Sequence, residues 1–445
     1  MWKKQTTDQK SWVYCVEEIE NPKMNSRPRS TTRSLSGQST SWPTFKDLLT
    51  AYQTCRLGKQ ASFHQTTFEA RLGENILKLH REIHQNRYKP LLSVCFVVKH
   101  PKPREIFAAH FRDRIVHHLI VSRLTSSWER RFVHSSFACR IGKGTHGALR
   151  YLQKKVRSVS QGGRLPVWAL QLDIASFFVT IHRPTLRDLL LGTATDPKLR
   201  DLIRIVYNHD ARIGAVRKGS EEDWNLILPE KTWFNRNVDQ GIPIGNLTSQ
   251  FGANVYLNAL DHWICRTLKP GAYLRYMDDL MLLDLDPNRL QGMADPIDRW
   301  LRKNRFQNLN AKKTRLTCLN QGIEYLGYRL RQESYPSQPL RIFSKPRKKW
   351  EWVKEIRDLE RFSFSEPGVR HPLAFPARSK ALERKLARIN SRIGYLGHGQ
   401  TYRLRKASLD RLINRTTEDR AIPRELGISR ARLKIKGDYK AISSS

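Results

Sequence analysis

Three aspartates in this chain of 445 residues stand where apolar stretches end. Asp278 and Asp279 are adjacent within 272–284 (AYLRYMDDLMLLD), with Leu274 and Tyr276 before them and the run LMLL after. An acid pair at the bend of an apolar hairpin is pushed to the exposed tip while the strands bury. Neighbouring carboxylates repel one another, and a bridging cation removes the repulsion. Oxygen ligands on a rigid hairpin suit Mg²⁺, which takes one or two carboxylates and completes its shell with water and substrate phosphates. For the pair alone, a plain polar Asp-Asp turn is the alternative. Asp173 adds a third acid from another segment: it ends the apolar stretch 167–173 (VWALQLD) and is followed by Phe177 and Phe178. A strand-end acid facing a hairpin pair is the set that two-metal phosphoryl transfer needs. One metal activates an attacking 3′-hydroxyl and the other holds the leaving pyrophosphate.

The elements that must position these acids are legible as periodicity. Thr44 is a candidate N-cap, with Phe45, Leu48, Leu49 and Tyr52 at helical spacing behind it. Further helices are expected over 68–84, 111–124, 145–157 and 247–266. Strands are expected over 93–100, stopped by Pro101 and Pro103, and over 167–173. A strand–turn–strand is expected over 272–285. No internal repeat is present. The reading is an α+β chain with local hairpins and no regular strand–helix alternation.

Charge names the partner class. Eighty Lys plus Arg against 41 Asp plus Glu give a formal +39. Such a field attracts a polyanion, and nucleic acid is the first candidate. A merely basic soluble surface or anionic lipid stays as the alternative. From Arg341 onward 27 basic and 11 acidic residues give +16, so the C-terminal part is expected against a phosphate backbone. Residues 24–42 are Ser/Thr-rich with three arginines and read as a flexible basic linker. The six cysteines form no C-x-x-C pair and no zinc spacing. Reduced, buried thiols and a cytoplasmic location are expected. No apolar run reaches the length of a membrane span, and no secretory signal is read at the N-terminus.

Tyr276-Met277-Asp278-Asp279 matches the signature tetrapeptide of reverse transcriptases, and Asp173 in LDIASFF resembles that family's first catalytic motif. Further motifs resemble the family in order: the fingers motifs at 102–106 (KPREI) and 111–118 (FRDRIVHH), and the nucleotide-binding strand-to-helix motif at 241–257 (GIPIGNLTSQFGANVYL). The mobile-lysine motif follows at 309–314 (LNAKKT) and the primer grip at 324–328 (EYLGY). The resemblance covers about 45–330, with a weaker thumb-like match to about 412. It implies a right-hand polymerase fold with fingers, palm and helical thumb. The expected divisions are a basic extension over 1–44, fingers over 45–165, palm over 166–330 with an insert near 208–238, and a basic helical thumb and tail over 331–445.

The same resemblance assigns roles. Asp173 and Asp278 would bridge two Mg²⁺ ions (Mn²⁺ substituting), Asp279 would help place the primer-side metal, and the Ile174 carbonyl would add a ligand. Phe178 occupies the place of the steric gate against a 2′-hydroxyl; both phenylalanines being core is the alternative. Arg104, with Lys102, would bind the triphosphate, unless this is simply a solvated basic loop. Ile244, Gly245 and Gln250 would contact the nucleotide. Lys313, directly before the threonine, matches the lysine that protonates pyrophosphate, and Lys312 reads as a surface residue. Tyr325, Leu326, Gly327 and Tyr328 would grip the primer. The partners implied are an RNA template, a DNA or RNA primer, their RNA–DNA hybrid and dNTPs, with a noncoding RNA and an accessory subunit as further candidates. Glycines 142, 144 and 147 beside Arg140 and Lys143 form a loop whose backbone could approach phosphate.

One departure narrows the resemblance. Most family members carry Pro-Gln-Gly where this chain has Pro243-Ile244-Gly245, and Ser-Pro where it has Ser249-Gln250. The combination IGNLTSQ is similar to the diversity-generating retroelement clade and to related antiphage-defence enzymes. A catalytically silent RNA-binding scaffold of the same fold is the competing reading. The presence of all three acids weighs against it.

Overall fold

In the computed structural model, residues 42–57, 62–333, 339–345, 350–354 and 356–358 are described here. The N-terminal extension up to residue 41, and most of the expected thumb and tail, including 381–412, lie outside the described residues. The chain forms two compact units, one of 1–155 with 168–316 and the other of 156–167 with 317–445.

In the first unit, helices α1 (Phe45–Arg56), α2 (Phe63–Glu69) and α3 (Leu72–His84) pack around α4 (Phe111–Glu129). Thr44 starts α1 through a complete capping box with Asp47: the Asp47 amide donates to Thr44 Oγ1 at 3.1 Å, and the Thr44 amide to the Asp47 carboxylate at 2.8 Å. The helix expected over 68–84 is in fact two. Asn75 Nδ2 donates to the Phe68 carbonyl across the break at 2.9 Å, and the Phe68 ring packs edge-on against Phe111. The break follows Phe68, which is buried near the end of α2. The strands β1 (Val94–Val98) and β2 (Arg104–Ala108) form a hairpin, to which β4 (Val216–Lys218) adds in parallel.

The sheet that matters for chemistry is antiparallel, in the order β5-β6-β3: β3 (Trp168–Asp173), β5 (Ala272–Tyr276) and β6 (Asp279–Asp284). Its inward residues Leu170, Leu172, Leu280 and Leu282 join one core with α4, with α6 (Phe177–Thr180), α7 (Arg183–Leu191) and α8 (Pro197–Asn208), and with α10 (Leu247–Trp263) and α12 (Ala294–Arg305). Each such buried side chain contributes roughly 1.5–3 kcal/mol relative to exposure, so the acid-bearing strand ends rest on a stiff base. The remaining elements of the unit are α5 (Gly144–Val159), which runs into the second unit, α9 (Glu221–Trp224) and α11 (Pro287–Gln291). The strand β7 (Arg315–Cys318) carries the chain out of the unit.

The second unit contains an antiparallel meander of β8 (Ile323–Tyr325), β9 (Tyr328–Gln332) and β10 (Leu340–Ser344). The buried Gln332 amide fixes the segment 156–167 to it, donating to the Leu165 carbonyl at 2.7 Å and accepting from the Val167 amide at 2.8 Å.

Cys55, Cys95 and Cys318 are buried thiols in no disulfide, whereas Cys139 is half-buried and Cys265 exposed, so the expectation of wholly buried thiols is met only in part. Among the described residues no helix is long and apolar enough to cross a membrane.

Candidate active site

Strand pairing brings the three acids together. In the β3–β6 ladder Asp173 stands directly opposite Asp279, and in the β5–β6 hairpin Tyr276 stands opposite the same Asp279. Directly opposed residues hold their Cβ atoms about 4.5–5.5 Å apart. Met277 and Asp278 form the two-residue loop, and Met277 takes a left-handed φ of 59°. Tight hairpins require such positive φ values to match strand twist. The Asp278 carbonyl accepts from the Ile174 amide at 3.4 Å, so the loop is tied to the end of β3.

Burial, and then the charge of Asp173, hold the Asp278 carboxyl above the usual carboxylate range; Arg104 and Lys313 pull it the other way. Burial, with the charges of Asp278 and Asp173, pushes Asp279 up to about 7. Asp173 is matched to a cation: Lys313 Nζ donates to its two oxygens at 2.7 and 2.6 Å, and Asn310 Nδ2 to one of them at 3.3 Å. Lys312 is exposed.

A divalent cation fits this donor set. Two of the acids are raised by burial and then by neighbouring carboxylates, and an ammonium group already stands in as the counter-charge of the third. Among the described residues no three His, Cys, Asp or Glu side chains close into a ready-made cage. Mg²⁺ does not require one, since water and substrate phosphates complete its shell.

Around the acids, the expected nucleotide-binding residues fall on connected backbone. Lys102 and Arg104 are exposed at the turn into β2 and the start of that strand, with Arg104 near enough to act on Asp278. The Phe107 amide of β2 donates to the Ile244 carbonyl at 3.0 Å, and the Ile242 amide donates to the Phe178 carbonyl at 3.0 Å. Segment 241–246 therefore links β2 to the turn carrying the two phenylalanines. Gly245 has φ 110°, and a Cβ there would meet Ile106 Cγ2 at 2.9 Å, so glycine is required for this approach. Phe177 is core at 2% exposed, while Phe178 is half-buried and edge-on to it at 5.3 Å. Of the two rings, then, Phe178 is the one left partly open. Ile244 and Gln250 are half-buried.

The 324–328 motif lies in the second unit. Tyr325 and Tyr328 pair across a two-residue turn of Leu326 and Gly327, at φ 46° and 87°. Both tyrosines are buried. In the Gly-rich segment, Arg140 is not available to phosphate: it forks onto Glu129 at 2.7 Å and donates to the Val133 and Ser136 carbonyls. Lys143 donates to the His134 carbonyl.

A buried network beneath the turn went unread in the sequence. Arg275 and Asp261, both 0% exposed, pair at 2.7 Å, with Tyr273, Asn254 and Ser136 around them. The signal was present: Arg275 is a charged residue inside the otherwise apolar strand AYLRY.

Residues 97–330 match the family described as reverse transcriptase (RNA-dependent DNA polymerase). The match spans more than half of the chain, and the chain belongs to this family. It is an RNA-directed DNA polymerase, a nucleotidyltransferase. Protein YkfC of Escherichia coli (strain K12) is 22% identical over 316 residues, covering 63% of this chain and 77% of that protein.

Proposed function

We propose that the chain synthesises complementary DNA on an RNA template by two-metal nucleotidyl transfer at Asp173, Asp278 and Asp279. Residues 45–165 would supply the fingers, 166–330 the palm, and the basic part over 331–445 a thumb and tail. The observation that carries the reading is the strand register that sets Asp173 opposite Asp279 and beside Asp278. Asp173 and Asp278 would hold both Mg²⁺ ions, with the Ile174 carbonyl and Asp279 completing the protein's share. When bound, the ions lower the pKa of the primer hydroxyl and neutralise charge on the phosphates.

The chain's own residues do the rest. Arg104 orients the triphosphate by forked hydrogen bonds, and Lys102 adds a point charge beside it. The Phe178 ring closes the sugar's 2′ side and favours deoxynucleotides. Lys313 leaves Asp173 and donates its proton to the departing pyrophosphate oxygen. Ile244, Gly245 and Gln250 shape the nucleotide pocket, and the turn from Tyr325 to Tyr328 holds the primer.

The setting we propose is a diversity-generating retroelement or an antiphage defence system; the departure at Ile244 and Gln250 supports this group. Sequencing the nucleic acid that co-purifies with the protein tests it. DNA complementary to one dedicated RNA supports the reading, with errors concentrated opposite template adenine pointing to the retroelement. Recovery of bulk cellular RNA with no complementary DNA would point to a silent scaffold.

A further inference from the structure

We propose that Arg275 is a positioning residue for the catalytic turn: its guanidinium fixes the peptide between Met277 and Asp278, and so sets where the Asp278 carboxylate stands. The inference rests on the reading of Asp278 as a metal ligand.

An arginine offers five N–H donors in a rigid plane. Arg275 uses all five. Nε and Nη2 each donate to a different oxygen of Asp261 at 2.7 Å. Nη2 also donates to Ser136 Oγ at 3.0 Å. Nη1 donates to Asn254 Oδ1 at 3.0 Å and to the Met277 carbonyl at 3.0 Å. The acceptors come from three pieces of chain: helix α10 (Asn254 and Asp261), the loop at Ser136, and the catalytic turn itself. The backbone of Arg275 is locked as well. Its amide donates to the Ser135 carbonyl and its carbonyl accepts from the Phe137 amide, both at 3.0 Å.

Neutralising Asp261 needs only the Nε–Nη2 edge. The bond to Met277 is additional, and it falls on the residue whose left-handed φ makes the turn possible. A methionine holds that conformation only where its surroundings over-determine it. The peptide carbonyls on the two sides of Asp278 are both held, that of Met277 by Arg275 and that of Asp278 by the Ile174 amide. Asp278 therefore hangs between two fixed peptides. Lysine would retain the charge, but its compact ammonium cannot span Asp261, Asn254 and the Met277 carbonyl together.

Tyr273 provides the internal control. Its hydroxyl donates to Asp261 Oδ1 at 2.6 Å, so it belongs to the network, and none of its contacts reaches the turn among those described. Four full-length variants, Arg275→Lys, Asp261→Asn, Tyr273→Phe and Asp278→Asn, are compared with the unmodified protein. Measured are circular dichroism, hybrid binding, single-nucleotide incorporation at saturating dNTP, and Mn²⁺ binding followed by electron paramagnetic resonance.

A misplacement of about 1 Å at a reacting centre costs roughly 10²-fold in rate. Loss of a residue that orients a metal ligand costs about 10–100-fold in metal affinity. Arg275→Lys is expected to show both losses in a folded protein that binds hybrid normally. Asp261→Asn is expected to shift in the same direction, and Tyr273→Phe to keep the kcat and Mn²⁺ affinity of the unmodified protein. A folded Arg275→Lys protein with unaltered kcat and Mn²⁺ affinity overturns the proposal. So does a Tyr273→Phe protein that loses as much. If Arg275→Lys fails to fold, unaltered Mn²⁺ affinity in Asp261→Asn overturns it instead. Full activity in Asp278→Asn would sink the underlying metal assignment rather than the role of Arg275.

Discussion

Lys313 grips Asp173 by both carboxylate oxygens, at 2.7 and 2.6 Å, so a lysine occupies the acid proposed above as a metal ligand. The Lys313 side chain is 49% exposed and that of Asp173 only 10%, so solvent screens the lysine end of the pair and not the acid. On the proposed reading a divalent cation arriving at Asp173 would compete with this contact and free the ammonium group for the leaving pyrophosphate.

Removing that lysine should separate two effects. Lys313→Ala is expected to slow nucleotide incorporation by about 10²–10⁴-fold, the usual contribution of a general acid. It should also lower the Mg²⁺ concentration giving half-maximal rate, because the competing ammonium is gone. Single-turnover incorporation across a Mg²⁺ titration measures both. An unchanged rate would remove Lys313 from the chemistry.

On the proposed reading Ile244 would offer shape to the nucleotide pocket and no directional hydrogen bond from its side chain. About 1.4 kcal/mol of transition-state discrimination changes an error ratio tenfold. Ile244→Gln is expected to tighten base selection by up to about that factor. Sequencing complementary DNA made by both proteins from one defined template checks it. Equal error spectra would leave Ile244 as a packing residue.

His117 gives a pH dependence. It is 6% exposed on α4, with Nδ1 lacking a hydrogen-bond partner among the described residues. Burial, helped by His118, Arg114 and His209, lowers it to about 3. Below its ordinary value of 6.5 the unfolded chain takes up a proton that the folded state refuses, so stability falls with falling pH until about 3. Between pH 7 and 5 this one group should remove about 2 kcal/mol of unfolding free energy. His117→Gln lacks the term. Urea unfolding of both proteins at the two pH values should show their stability difference changing by that amount, and a constant difference would contradict it.

What the sequence made legible was local. Thr44 and Asp47 stand at capping-box spacing, and the acids at 278 and 279 sit where an apolar strand pattern must reverse, so α1 and the β5–β6 hairpin fall where periodicity put them. The π-turn that closes α10 over Ile264–Leu268 and the break between α2 and α3 were not readable. Arg71 caps α3 without a side-chain bond, and the break depends on where Phe68 meets Phe111 in space. The Arg275–Asp261 pair was hidden for the same reason. Its members are 14 residues apart and meet only because α10 packs beside β5. The commitment of Arg140 to Glu129 likewise depends on a fold that no spacing rule reports.

The most direct measurement is primer extension and filter binding on one preparation of Asp278→Asn. A neutral amide is a poor ligand for a hard cation, whereas RNA binding rests on charge distributed over a chain of formal net charge +39. Mg²⁺-dependent incorporation is expected to disappear while RNA affinity stays close to that of the unmodified protein. Extension by Asp278→Asn at the unmodified rate would contradict the two-metal site at Asp173, Asp278 and Asp279.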